Sequence, residues 1–527
     1  YIKDWTSEYY LSKKRSQLLS GFSFDRSAKV LEVGCGCGAI TRFLGETFDQ
    51  VVSVEGSINR ARLARQRTKD LDSVSIICSP FQEINFSQKF DIIFCVGVFE
   101  YSASFIKGED PYDAALQYFS SILSPGGMVV IAIENQFGLK YFNGSHEDHL
   151  GLPFEGIEGY HRKPGKARTF GKVELENRLR KYFSEVEFYY PFPDYKVPDC
   201  VVSDAFLSSG RAGELITLMP SRDEAGPQRF LWDEASTILE LDRNKILGFF
   251  SNSFLVFASL SKTDKKIFNQ EAIFYSDGRK PEYSTESRVI KDPNGELRVV
   301  KHWEAESDAQ SQSLLQMVKV ESFWIDSQSL QTQVLLRAKT QNLPLDKIFE
   351  PCKGWVEFLM EKSSLKDGVA YLDGQYVDAM WSNTYCIDNK WTLIDQEWVW
   401  HEKIPTSVII IRAIYNFLTR IEKNEIYVSA FSTRDGKNLI KEIAKELGFQ
   451  LAEKDFKAFI NLEGQIARIV AQSGNPNYAF YLHLRWFLFD KKSLYLARKI
   501  QQKLRNLKSK IMTRFMNAFL KLGFIND

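Results

Sequence analysis

The stretch Lys29-Val-Leu-Glu-Val-Gly34-Cys-Gly36-Cys-Gly38-Ala-Ile-Thr-Arg-Phe-Leu44 decides how the first part of this chain folds. Residues 29–33 have the length and apolar character of a strand. Three glycines follow at alternate positions, and a helix start is read at Ala39. Glycines at such a turn tolerate positive φ and let backbone N–H groups approach a ligand closely. A second strand, Val51-Val-Ser-Val54, ends in Glu55, 21 residues after Gly34. In a doubly wound α/β sheet an acid at that distance bonds the ribose hydroxyls of a nucleotide. The spacing Gly34-x-Gly36-x-x-Ala39 also satisfies the dinucleotide fingerprint, so these residues alone leave an NAD site open.

Two further features separate the readings. Glu32 stands inside the first strand, where dinucleotide sites are usually apolar. Ser79-Pro-Phe-Gln82 follows a third strand, Phe90–Val96 reads as a fourth, and Ser124-Pro-Gly-Gly-Met-Val-Val-Ile131 as a turn and a fifth. This order resembles the class I S-adenosylmethionine-dependent methyltransferases. The resemblance implies that Glu32, Gly34, Cys35, Gly36 and Gly38 hold the methionine end of S-adenosylmethionine. It also implies that Glu55 holds the ribose and that Phe81 and Gln82 flank the adenine. A nucleotide fold that has lost its ligand is the alternative.

Loops at the carboxyl ends of strands line the crevice of an open α/β sheet. After the fifth strand, such loops carry His146, His149 and His161, three of the six histidines of the chain. Methyl transfer needs alignment, plus a base if the acceptor is a hydroxyl, and His146 and His149 are the candidate catalytic residues. A phosphate acceptor would need cationic positioning instead, for which Lys140, Arg162 and Arg168 are candidates. His146-Glu-Asp-His149 has the composition of a metal cluster but the spacing of no common site. Structural loop contacts are the plainer reading. Val186–Tyr190 and Phe254–Phe257 read as closing strands, with a helix between them over 234–247, so this domain is expected to span residues 1–262.

A composition change near residue 263 marks the expected start of a second domain, 263–430. Arg288–Lys291, the turn Asp292-Pro-Asn-Gly-Glu296 and Leu297–Trp303 make a hairpin signal that puts Lys301 on its second strand. Further on stand Asp378, Asn383 and, in Leu393-Ile-Asp395-Gln-Glu-Trp398, Asp395. This spacing resembles the catalytic loop of protein-kinase-like α+β folds. The resemblance makes Asp378 the catalytic base, Asn383 and Asp395 the Mg2+ ligands, and Lys301 the partner of the ATP phosphates. Glu321, on an expected helical stretch, is preferred over Glu304 and Glu306 as the lysine's partner. No Gly-x-Gly-x-x-Gly loop precedes Lys301, Tyr376-Val377 replaces the usual His-Arg, and Glu397 replaces the glycine after the metal aspartate. Those departures resemble the aminoglycoside- and sugar-kinase-like relatives. A pseudokinase, or ordinary turn residues, are the alternatives.

A methyltransferase followed by a kinase-like domain resembles the bifunctional kinase–methyltransferases that cap bacterial O-antigen polysaccharides. In that family a kinase phosphorylates the terminal sugar and the methyltransferase methylates the phosphate. The resemblance implies a glycan or lipid-linked polysaccharide acceptor, and it covers roughly residues 1–430. The family's long C-terminal coiled coil is missing from this sequence. A single-activity methyltransferase acting on a sugar or small-molecule hydroxyl, and a non-catalytic scaffold of polysaccharide assembly, are the other readings.

The remaining residues, 431–527, are expected to be helical, following a helix over 409–422, with helices at 437–447 and 456–472. From Lys491 to Asn526 there are ten Lys+Arg and no acid, with Leu504, Leu507, Ile511, Phe515, Phe519 and Leu522 at helical spacing. Such a helix suits an anionic membrane surface or a partner in a polysaccharide-synthesis complex; docking on the chain's own body is the commoner fate. The whole chain of 527 residues balances 68 Lys+Arg against 67 Asp+Glu. That neutrality gives no nucleic-acid footprint and conceals a basic end on an acidic body. An apolar fraction of 44% excludes a disordered chain. Apolar runs such as Val408–Ile411 fall far short of a membrane span. Seven scattered cysteines read as reduced thiols, giving a cytoplasmic expectation with peripheral attachment to the inner membrane. A start at Tyr1 without methionine suggests a fragment or processed product, leaving room for a targeting segment ahead of it.

Overall fold

The computed structural model describes residues 5–162, 167–223, 231–262, 267–276, 278–303, 313–318, 321–340, 342–423 and 436–472. They fall into two compact units. The first holds the described residues up to 276, 281–303 and 321–326; the second holds 278–280, 313–318 and those from 327 onward.

The first unit is built on one sheet. Its strands are β1 (Lys29–Val33), β2 (Gln50–Glu55), β3 (Val74–Cys78), β4 (Phe90–Val96), β5 (Leu123–Glu134) and β6 (Glu185–Phe192). β7 (Cys200–Ser203), β8 (Ser253–Ser259), β9 (Ala272–Tyr275), β10 (Thr285–Lys291) and β11 (Leu297–Trp303) follow. They lie in the order β3-β2-β1-β4-β5-β8-β6-β7-β9-β10-β11, closed by Glu321–Phe323. β3 through β5 pair in parallel. β8 runs antiparallel between β5 and β6. Strand order reverses between β1 and β4, and ligands in open α/β sheets bind at the carboxyl ends of strands at that switch point. Parallel strands covered on both faces read as unbroken apolar runs. β4 and β5 do so, with Ile93 and Ile131 in the core on one face and Phe94 and Val130 in that on the other. The helix Pro111–Ile122 completes the first of these cores; its start is fixed by Pro111 and by Asp110, which accepts from the N–H groups of Tyr112 and Asp113.

The expected closing strands form as β6 and β8, and the expected helix forms at Glu234–Arg243. The hairpin forms as β10–β11, with Ser287 opposite Lys301. It does not begin a separate fold. β9 pairs with β7 on one side and β10 on the other, so the hairpin extends the first unit's sheet. The division expected at 263 thus falls between two strands of one sheet, because the hydrogen bonds of β7's outer edge are completed by residues 272–274 rather than left open. Glu321 lies on a short strand against β11, not on a helix, and its carboxylate faces Arg298 at 3.3 Å. Glu304 and Glu306 lie outside the described residues.

The second unit contains the helices Leu330–Ala338, Pro351–Lys362, Thr406–Lys423, Gly436–Glu446 and Glu453–Val470, the last three close to expectation. Trp355 and Trp381 are fully buried and meet edge to face, 5.9 Å apart. The boundary expected at 430/431 and the basic segment 491–526 lie outside the described residues. No described helix is long and apolar enough to cross a membrane.

Candidate functional site

A cavity of about 880 Å³ opens at the switch point, lined by Glu32, Gly34, Cys35, Gly36, Glu55, Phe81 and Gln82 among others. The turn after β1 is held by Gly34 N–H and Cys35 N–H, both donating to the Val54 carbonyl (2.8 and 3.0 Å). Gly34, Gly36 and Gly38 have φ of +76°, +54° and +79°. A Cβ on Gly36 would meet no atom within 4 Å, so its backbone borders open cavity. At Gly38 a Cβ would come within 2.8 Å of the Ala64 Cα. Gly38→Ala is therefore expected to cost about 1–2 kcal/mol from the left-handed backbone before the clash is counted. A thermal melt of the variant against the parent checks it.

Glu32 is buried, accepts from Ser53 Oγ (2.7 Å), and burial pushes its carboxyl up to about 7. Burial also pushes the Cys35 thiol up, so that it stays protonated. Glu55 accepts from Gly36 N–H (2.9 Å) on one oxygen and from Ser57 N–H (2.9 Å) and Arg60 (3.0 Å) on the other. Each carboxylate oxygen has two acceptor sites, so the one bonded to Gly36 can still take a ligand hydroxyl. Phe81 packs against Phe119 while edging the cavity, and Gln82 donates to the Phe105 carbonyl (3.1 Å). A glycine cradle, a buried acid near the end of β1 and a second acid at the end of β2 fit S-adenosylmethionine. When bound, that group supplies the methyl on a sulfonium.

The same cavity continues to Glu100, Tyr101, Asp148, His149, Tyr195 and Lys196. His149 sits between Tyr101 Oη (2.8 Å from Nδ1) and Glu134 (3.1 Å from Nε2). Burial opposes its charge, but the Glu134 carboxylate prevails and lifts its pKa to about 9. With no cation bound beside it, it is therefore protonated at neutral pH rather than a free base. Lys196 Nζ lies 2.5 Å from Glu134 and also bonds Asp148. Glu100 is fully buried, and neither of its oxygens finds a hydrogen-bond partner on another described residue. Burial, then the charge of Glu134, pushes its carboxyl up to about 8.

Of the sequence candidates, His149 joins the cavity and His146 does not; His146 is bound to Asp223 (2.9 Å). Lys140 is buried on Asp148 (2.8 Å), Arg162 faces Glu158 (3.0 Å) and Arg168 faces Glu174 (3.0 Å). None of these three lines the cavity; among the described residues Arg15, Arg60 and Lys196 are the arginines and lysine that do. Arg15, Tyr9 and Trp5 come from the start of the chain and were not anticipated, and neither were Glu100 and Lys196. Glu100 had a usable signal, standing in the loop just beyond β4.

In the second unit the hairpin Thr384–Ile387/Lys390–Leu393 returns the chain so that Asp378, Asn383 and the Asp395 region meet. Asn383 Nδ2 and Gln396 Nε2 both donate to the Asp378 carbonyl (3.1 and 3.3 Å), and Ile394 N–H donates to the Asn383 carbonyl (2.9 Å). Asp378 Oδ1 is held by Arg412 at 2.6 Å. Lys301 belongs to the first unit, so neither unit contains all four kinase-like candidates.

Residues 31–131 match the family model described as a methyltransferase domain. Among curated proteins, a cyclopropane-fatty-acyl-phospholipid synthase of Escherichia coli (strain K12) is 30% identical over 104 residues, 20% of this chain and 25% of that protein. A malonyl-[acyl-carrier protein] O-methyltransferase of Priestia megaterium is 30% identical over 88 residues, 16% of this chain and 31% of that protein. The chain thus spans about a quarter to a third of the length of these relatives. Among solved structures, the N-methyltransferase NodS of Bradyrhizobium japonicum WM9, in complex with S-adenosyl-L-homocysteine, is 18% identical. It covers 36% of this chain and 86% of its own, with a TM-score of 0.28. The family match and the strand order, with the glycine cradle at the switch point, agree that the first part of this chain is a class I S-adenosylmethionine-dependent methyltransferase domain.

Proposed function

We propose that this protein transfers a methyl group from S-adenosylmethionine to an oxygen of a sugar at the end of a bacterial surface polysaccharide. The observation that carries the methyl transfer is the placement of the glycine cradle, Glu32 and Glu55 in one cavity with Glu100, Tyr101 and His149. The first group holds the donor and the second receives the acceptor. Methyl transfer is an in-line displacement, so alignment does most of the work. An acceptor hydroxyl must also lose its proton, and Glu100 has free oxygens and a pKa raised to about 8. Trp5, Tyr9, Tyr10 and Tyr195 line the cavity, and aromatic side chains suit a sugar.

The second unit supports a further activity, phosphorylation of the same glycan end with ATP and Mg2+. Its support is the meeting of Asp378, Asn383 and the Asp395 region around the hairpin. In this reading Asp378 takes the proton of the sugar hydroxyl, and Asn383 and Asp395 hold the metal. The segment 491–526 attaches the enzyme to the inner membrane face, where lipid-linked glycans are made.

The test is mass spectrometry of a lipid-linked glycan incubated with S-adenosylmethionine and ATP, separately and together. The expected result is methyl gain that falls at least about ten-fold in Glu55→Ala, since the lost bonds involve a charged acceptor. Phosphate gain is expected to vanish in Asp378→Ala. Methyl gain without ATP and no phosphate gain at all would leave the methyltransferase reading and remove the kinase one.

A further inference from the structure

We propose that Glu100, Glu134 and His149 form a site for one divalent cation at the acceptor end of the cavity, a proposal that rests on the methyltransferase reading. The three arrive from the ends of adjacent strands. Glu134 closes β5, Glu100 stands in the turn after β4, and His149 lies in the loop beyond β5. One ligand atom from each lies within 4.8 Å of the others. Glu134 Oε2 and His149 Nε2 are 3.1 Å apart. That matches the roughly 3 Å between neighbouring ligands on an ion with bonds of about 2.0–2.2 Å.

Glu100 is the independent indication. A fully buried carboxyl with no partner on another described residue is costly unless something meets it. It faces the cavity, beside His149, which also lines it. One of its oxygens serves the ion and the other remains for the acceptor's proton.

The surroundings suit the task. Tyr101 Oη fixes Nδ1 of His149, and Lys196 fixes the second oxygen of Glu134, so both ligands are oriented by outer partners. Lys196 and Lys140 are the nearby cations, and they are matched by Glu134 and Asp148. Binding the ion would displace the proton that His149 holds at neutral pH and the one that burial keeps on Glu100. Two carboxylate oxygens and an imidazole nitrogen favour Mn2+, Fe2+ or Zn2+ over an all-oxygen Ca2+ or Mg2+ site. A hydroxyl bound to such an ion gives up its proton more readily.

The experiment titrates the full chain with Mn2+ by calorimetry and electron paramagnetic resonance, in the presence of S-adenosylhomocysteine. One bound Mn2+ per chain is expected. Its affinity should weaken about a hundred-fold in Glu100→Gln and in His149→Gln and hold in His146→Ala. S-adenosylhomocysteine binding, read in the same samples, shows that each variant is folded. Failure to bind Mn2+, or binding indifferent to Glu100→Gln, would overturn the cation site and leave methyl transfer standing. Failure of the unaltered chain to bind S-adenosylhomocysteine would instead overturn the reading beneath it.

Discussion

Glu32→Gln is expected to weaken S-adenosylhomocysteine binding by about ten- to a hundred-fold and, at pH 8, to raise the melting temperature of the ligand-free chain. The two effects have one origin. Glu32 is buried, and its pKa is raised from 4.5 to about 7, chiefly by burial, against the smaller help of Thr41, Ser53 and Arg15. An acid whose folded pKa is raised contributes stability that is fully present below pH 4.5 and is lost as the pH rises through 7. At about 1.4 kcal/mol per pKa unit, the buried charge costs the fold up to about 3 kcal/mol at pH 8. Glutamine, neutral at all pH, avoids that cost. A ligand ammonium beside Glu32 reverses the balance, because a hydrogen bond to a charged group contributes about 1.5–3 kcal/mol. Affinity in the parent should therefore rise with pH up to about 7 and then level, while the variant stays flat. Calorimetry at pH 6 and pH 8 with melts of both proteins reads all of this. Equal dissociation constants for parent and variant would remove Glu32 from the ligand's surroundings.

The end of the cavity lined by the glycine turn, Glu32 and Glu55 was legible in the sequence because its determinants are local. The glycines, Glu32 and Glu55 all lie within residues 29–55, on two neighbouring parallel strands and on the turn after the first, which bonds of 2.8 and 3.0 Å to Val54 lock. Buried on both faces, β1, β4 and β5 announced themselves as apolar runs. The end around Glu100 and His149 has no such signature. Glu100, Glu134, His149 and Lys196 are far apart in sequence, and their chemistry comes from being buried together. Lys140 shows the limit. Its charge made it a candidate for anion binding, but its side chain is fully buried on Asp148. The hairpin at 285–303 shows another. Its turn residues specify two paired strands, yet which sheet those strands join is decided by β9, whose four residues carry no special pattern. The helical expectation at Glu321 failed for the same reason, since pairing with β11 overrides local preference there.

Arg412→Met is expected to destabilise the second unit by about 3–5 kcal/mol, the penalty for stripping the partner from buried charges. Arg412 is 8% exposed and lies between Asp378 at 2.6 Å and Glu463. Its guanidinium also donates to the Val377 carbonyl. Both carboxylates are nearly as buried, so removing the cation leaves two negative charges facing each other. Burial would release the Arg412 proton, but Glu463 and Asp378 hold it firmly. Neutralising the acids as well, in Arg412→Met with Asp378→Asn and Glu463→Gln, should recover much of the loss, because a buried ion triad is of little net benefit over neutral packing. Urea unfolding of the three proteins measures it. The series also separates two roles for Asp378. Oδ1 is committed to Arg412, which leaves Oδ2 for an acceptor hydroxyl. If Asp378 is only a counter-ion, Asp378→Asn and Glu463→Gln should destabilise alike and neither should affect phosphate transfer. If it is the base, Asp378→Asn must abolish transfer while Glu463→Gln, with equal loss of stability, preserves it. An Arg412→Met protein as stable as the parent would show that the triad is solvated rather than buried, and the positioning of Asp378 would then need another cause.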